Sequence, residues 1–233
     1  MQIVKKIRVL ECIRQGQVGG GESHLLSLVE NLDRTRFEVV VLSFTDGPMV
    51  RELKKQGVET HVIYTERPFD FTKWRQVKRL IRSCSIDIIH AHGTRAASNI
   101  LWAARSLNIP LIYTIHGWSF HDDQNALIRN IRVLGERYIV HRSNLNISVS
   151  ESNKRTGIRY LKNLHSIVIN NGIDQRKFSA QSVHQDVRKE LGISNEALVV
   201  LFVARFTHQK QPHLLIESFS KALAQVPNLH LLM

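Results

Sequence analysis

Between Lys6 and Leu232 the sequence alternates short, unbroken apolar runs with longer amphipathic segments, and this alternation limits the possible folds more than any other feature. The apolar runs are Lys6–Ile13, Phe37–Phe44, Val58–Tyr64, Ile86–His90, Pro110–Ile115, Asn144–Val149 and Ser166–Ile169. They are rich in Val, Ile and Leu and lack the alternation of a half-exposed strand, so each predicts a strand covered on both faces. Helical spacing fills the intervals: Ser23–Leu32, a short helix opened by Gly47-Pro48 and stopped by Gly57, Phe71–Cys84, Ala96–Leu107, Ala126–Val140 and Ser150–Leu161. Strands and helices in strict alternation predict an α/β fold with a doubly wound parallel sheet. Ligands of such sheets bind beyond the carboxyl ends of the strands. Chemistry is therefore expected in Gly16–Glu22, His90–Arg95, His116–Asp123 and Ser150–Asn153.

A turn at Asn170-Asn171-Gly172 and a polar stretch over Gln175–Asn195 precede a second, shorter run. It reads as strand Ala197–Val203, helix Pro212–Val226 and strand Leu229–Leu232. One β-α-β unit of roughly 35 residues does not bury a domain core of its own. The strand-loop-helix order of Lys6–Leu32 returns at Leu198–Leu223, so two Rossmann-like halves are expected, the second incomplete.

Charge narrows the partners. Lys plus Arg total 32 against 20 Asp plus Glu, a net charge of +12. An anionic partner follows: nucleic acid, an anionic membrane surface or a phosphorylated small molecule. Over Phe71–Arg82, Phe71, Trp74, Val77, Leu80 and Ile81 form an apolar stripe expected to pack on the sheet. Lys73, Arg75, Lys78, Arg79 and Arg82, extended by Arg67, form either a solvated face or one for an anionic membrane. Nucleic acid is disfavoured, because few exposed aromatics interleave with the cations. The two cysteines, Cys12 and Cys84, are too few for a disulfide framework and predict reduced core thiols. The N-terminus lacks a signal-peptide apolar region, and no run approaches the ~18 apolar residues that span a bilayer. A chain neither exported nor integral is expected.

The loop Gly19-Gly20-Gly21-Glu22 lies between the first strand and the first helix. The dinucleotide pattern G-x-G-x-x-G fails, because His24 stands where its third glycine belongs, and no G-K-[ST] occurs. Two readings remain: a tight turn, or backbone amides presented to an anion. His90 and His92 share a strand face, and His121-Asp122-Asp123 follows His116. No third ligand has diagnostic spacing, so no metal is expected. His92 and His116 each close a strand at the ligand-binding end, which favours binding over packing. Arg205 and Lys210 precede Pro212, the expected first turn of a helix, and so suit an anion.

In chain order these residues carry a family likeness: GGGE (Gly19–Glu22), DIIHAHG (Asp87–Gly93), PLIYTIHG (Pro110–Gly117), SVSES (Ser148–Ser152), VINNGID (Val168–Asp174), ARFTHQK (Ala204–Lys210) and LLIESF (Leu214–Phe219). The chain resembles the GT-B glycosyltransferases of family 4, the glycosyl transferase group 1 type. The resemblance implies retaining transfer of a sugar from a nucleotide-diphosphate sugar to a glycan or lipid-linked acceptor, in cell-surface polysaccharide synthesis. It implies no cofactor, no metal and no nucleic-acid partner, and a cytoplasmic enzyme, peripheral on the inner face of the membrane. Residues 1–174 would be the acceptor-side domain, 175–196 a linker and 197–233 the start of the nucleotide-sugar domain. His116 would be catalytic at the reacting sugar. Gly19, Gly20, Arg205 and Lys210 would bind the donor diphosphate, and Glu22, His92, Thr94 and Arg95 would line the acceptor side. The family's Glu-x7-Glu helix is missing and Gln211 replaces a glycine, so an incomplete and inactive portion is expected. The alternative is a non-catalytic module that binds an anionic membrane or partner.

Overall fold

The computed structural model describes residues 5–17, 19–173, 175, 186–204, 206–207 and 210–233. The chain divides into two compact units, Met1–Asp174 and Gln175–Met233. In the first unit, seven parallel strands form one sheet: β1 (Ile7–Ile13), β2 (Phe37–Ser43), β3 (Glu59–Val62), β4 (Ile88–His92), β5 (Leu111–Ile115), β6 (Leu145–Ser148) and β7 (Ile167–Val168). Their spatial order is β3-β2-β1-β4-β5-β6-β7. The chain winds outward from β1 to one edge, then returns to β4 and winds to the other, which makes a Rossmann-like, doubly wound fold. The direction reverses between β1 and β4, and a crevice opens at that switch point.

Residue alternation along the strands builds two separate cores. Leu10, Cys12, Val40, Leu42, Ile89 and Ala91 face one layer, which holds α3 (Trp74–Ser83), α4 (Thr94–Ser106) and α6 (Glu151–Leu161). Ile13, Val39 and Val41 face the other, with α1 (Gly20–Asn31) and α2 (Pro48–Lys55). The central strands are therefore buried on both sides, which is why their sequences lack a polar face. Both cysteines are free and buried.

Several boundaries differ from expectation. β4 runs through His92 instead of stopping at His90, because its backbone stays paired with Ile13 of β1 and Thr114 of β5. Phe71 leaves the α3 stripe and is 74% exposed. It lies in a 3₁₀ turn, Phe71–Lys73, whose first amides are capped when Asp70 accepts from the Thr72 amide. Val77 and Ile81 do bury, and Trp74 stacks on Trp102 at 5.6 Å. α5 (Ala126–Val140) turns Leu127, Ile128, Ile131, Leu134 and Tyr138 outward and buries only Glu136, Ile139 and Val140. Arg142 lies 3.9 Å over the Tyr138 ring.

The second unit contains α7 (Val187–Glu190), β8 (Leu198–Leu201), α8 (Pro212–Leu223) and β9 (Leu229–Leu232), with β8 and β9 parallel. The short helix α7 lies within the stretch expected as linker, and Asp186 caps it by accepting from the Lys189 amide. Gln211 precedes α8 at φ 46°, a left-handed conformation in which a glycine has no Cβ to strain.

Candidate functional site

The switch-point crevice is lined by the carboxyl ends of β1, β4 and β5 and by the start of α1. Glu11 on β1 pairs in register with His90 on β4, so the two side chains share a face with His92, two residues on. One carboxylate oxygen of Glu11 meets both rings, at 3.0 Å from His90 Nδ1 and 2.8 Å from His92 Nε2. His92 Nδ1 in turn lies 3.0 Å from Nε2 of His116, the first residue after β5. His90 Nε2 reaches the Thr114 hydroxyl at 2.7 Å. The ring of His24, on α1, stands 5.1 Å from that of His116. A line of hydrogen bonds thus runs from a buried carboxylate to a histidine at the crevice.

Electrostatics follow from burial. The Glu11 carboxyl loses water, which works against its charge, but the charge of His90 and the bonds from both histidines outweigh that and hold it well below the usual carboxylate range. Burial, then the charge of His90, lowers His92 to about 4. Burial, then His92, His24 and His90, lowers His116 to about 3. Both rings are neutral at pH 7. The ligand atoms of His24, His92 and His116 lie close enough to surround a cation, as do those of Glu11, His90 and His92, but Glu11, His92 and His116 already bind one another.

Two turns shape the approach. Only Gly93 separates β4 from α4, and its φ of 79° is the left-handed value that favours glycine. Gly16 lies against Gly47, where an added Cβ would come within 2.8 Å of neighbouring backbone. At α1 no side chain caps the Gly19 end, and added Cβ atoms on Gly20 or Gly21 would meet nothing within 4 Å. An added Cβ on Gly19 would instead come within 2.6 Å of the Glu22 carboxylate, so that side chain sits against the first turn, at the positive end of the helix.

Glu22 is buried in that first turn. The Thr94 hydroxyl points away from solvent and donates at 2.6 Å to Glu136, which is wholly buried and also accepts from the Tyr113 hydroxyl at 2.9 Å and the Ser119 amide at 3.2 Å. Arg95 is half-buried beside Arg14, Asp46, Tyr64 and Glu66 in an open cleft of about 430 Å³. After His116, Trp118 anchors the loop. Its indole donates to the Asn153 carbonyl at 2.8 Å, and its ring fills the space where a Cβ on Gly157 would stand. Lys210 is exposed, and its amide donates to the Thr207 carbonyl. Arg205 lies outside the described residues. Spacing did not reveal Glu11, His24 or Glu136. For Glu11 the signal was the one acidic residue inside an apolar strand run.

The model of glycosyltransferase family 4 matches residues 18–177, which span this crevice apart from β1. The chain belongs to that family. It is 25% identical to YtcC of Bacillus subtilis over 218 residues, which cover 90% of this chain and 50% of YtcC. It is 23% identical to the alpha-monoglucosyldiacylglycerol synthase of Streptococcus pneumoniae, with 90% of this chain and 51% of that one covered. The chain spans about half the length of these curated relatives. Among solved structures it resembles Anabaena HepE in complex with UDP-glucose, at a TM-score of 0.77 and 22% identity over 97% of this chain and 59% of that one. This likeness places the family 4 chain in the GT-B fold. No helix among its described residues is long and apolar enough to cross a membrane.

Proposed function

We propose that residues 1–174 are the acceptor-side domain of a retaining hexosyltransferase and that 197–233 begin the domain that binds a nucleotide-diphosphate sugar, with 175–196 between them. The acceptor is a glycan or a lipid-linked glycan of the cell surface. One observation carries the reading: the family match covers the strand ends and helix start where Gly19–Glu22, His92 and His116 converge. The HepE complexes with UDP and with UDP-glucose support a nucleotide-sugar donor. A relative from Escherichia coli named for O-antigen biosynthesis supports the acceptor class.

In this reading the first-turn amides at Gly19 and Gly20 receive the donor diphosphate, favoured by the helix dipole. Arg205 and Lys210 clamp it and offset the charge that grows on the leaving group. Neutral His116 contacts the reacting sugar. On the acceptor side, Arg95 offers charge in a cleft of mixed polarity, suited to a polyhydroxylated ligand. Glu22 and His92 are buried and the half-buried Thr94 is tied to Glu136, so they shape the site from behind. A donor held by its phosphates alone is poorly oriented, and orientation supplies many kcal/mol of a transfer barrier. The 233-residue chain should therefore bind UDP and transfer no sugar. Calorimetry with UDP, then incubation with UDP-glucose and a membrane glycolipid extract followed by mass spectrometry, tests both parts. Salt-sensitive UDP binding weakened by Lys210→Ala is expected. No binding would remove the donor assignment, and a glycosylated product would remove the inactivity.

A second component has its own observation. The outward apolar stripe of α5 is flanked by Arg129, Arg132 and Arg142, and Arg75, Arg79 and Arg82 are exposed on α3. Apolar and cationic groups together suit an anionic membrane, on the cytoplasmic face in this reading. Even a chain that transfers nothing would then act as a membrane-binding module. Sedimentation should favour anionic over neutral vesicles and weaken with salt. Equal binding to both would remove the electrostatic part.

A further inference from the structure

We infer that Glu11 is a positioning residue: through His92 it fixes His116 in the tautomer whose Nδ1 is a bare acceptor, so that His116 meets its ligand by accepting a hydrogen bond from a hydroxyl. Only the identity of that ligand, a sugar, rests on the proposed glycosyl transfer.

The argument is a count of protons. A carboxylate offers acceptors and no donor. His92 Nε2, 2.8 Å from the Glu11 oxygen, must therefore carry hydrogen, and so must His90 Nδ1 at 3.0 Å. A neutral imidazole has one N–H, so His92 Nδ1 is left with a lone pair. His116 Nε2, 3.0 Å away, must donate to it. That spends the single proton of His116 inward. Its Nδ1 is then left as an acceptor and makes no hydrogen bond to a described residue.

The groups facing His116 agree with a neutral ring. His92 is fully buried on β4, with His90 beside it, and His24 approaches from α1. The carboxylate in this group, Glu11 on β1, lies one imidazole further in. Burial and the neighbouring histidines keep both His92 and His116 from charging near neutral pH. The opposite tautomer of His116, with Nδ1 protonated, requires either a doubly protonated His92 or a group at position 11 that donates. A glutamine there could donate.

Long-range proton–nitrogen spectra of the ¹⁵N-histidine-labelled 233-residue chain test this directly. In the wild type, His116 should show Nδ1 unprotonated and Nε2 protonated, with a coupling across the hydrogen bond to His92 Nδ1. Glu11→Gln should convert this single pattern into a mixture or its reverse. A protonated Nδ1 on His116 in the wild type overturns the proposal, whether or not the variant folds. So does an unchanged pattern in a folded Glu11→Gln chain. Failure to bind UDP with the tautomer intact would remove the donor assignment and leave the role of Glu11 standing.

Discussion

Glu11 and Glu59 each hold a histidine, at 2.8 Å and 2.9 Å, in the same sheet. One pair sits near the carboxyl ends of the strands, where Glu11 is 4% and His92 0% exposed. The other sits on the edge strand β3, where Glu59 is 44% and His61 36% exposed. Glu59 also takes Arg8 at 3.1 Å and the Cys84 thiol at 3.2 Å. The contact distance is nearly equal, so distance is not what separates them. Water is. At Glu59 solvent screens the charge and shares the hydrogen bonding, whereas at Glu11 the protein alone must satisfy the carboxylate. The buried pair is costly to break, and the exposed pair adjusts.

Removing one partner from each should separate the pairs most. Glu11→Ala leaves His90 and His92 without their acceptor in a site that excludes water. A loss of about 3–5 kcal/mol is expected in urea denaturation, against about 1 kcal/mol or less for Glu59→Gln. Equal losses would mean that water reaches Glu11.

Acid should come next in size. His92 and His116 bind protons in the unfolded chain near pH 6.5 but in the folded chain only near pH 4 and below. Between those values the unfolded state carries more protons, so stability is full above pH 6.5 and falls as pH drops. Glu11, whose folded pKa is also lowered, adds a loss of the same sign at lower pH. Denaturation at pH 7.5 and pH 5 should differ by about 2 kcal/mol for each of the two histidines. His92→Gln should flatten that slope.

The smallest effect concerns Cys84. Burial, then its hydrogen bond to Glu59, pushes the thiol up from its ordinary value. Glu59→Gln removes a negative neighbour and should speed alkylation of Cys84 several-fold at pH 8. Cys12, buried beside Glu11, should stay unreactive in both chains. An unchanged rate would show that burial alone protects Cys84.

The same contrast marks what the sequence disclosed. The parallel sheet was legible because central strands such as Phe37–Ser43 carry no polar face. His92 and His116 were legible as strand-end residues. Glu11 was not tied to them, because its contact with His92 spans 81 positions and no local spacing encodes it. Glu136 was hidden for the same reason, since its bond from Thr94 crosses 42 positions. The outward face of α5 was equally opaque, because helical periodicity reports that a stripe exists but not what it packs on.

Trp118 gives the molecule an optical signal of its own. The other two tryptophans, Trp74 and Trp102, are stacked together on α3 and α4, while Trp118 is buried two residues after His116. Its indole is tied to the Asn153 carbonyl and packed at 5.2 Å from Phe120, an apolar setting in which indole emission lies to the blue. Any molecule that reorders the turn after β5 must disturb that setting. With Trp74 and Trp102 replaced by phenylalanine, the colour of a single residue would follow events at His116 in real time, with no label attached.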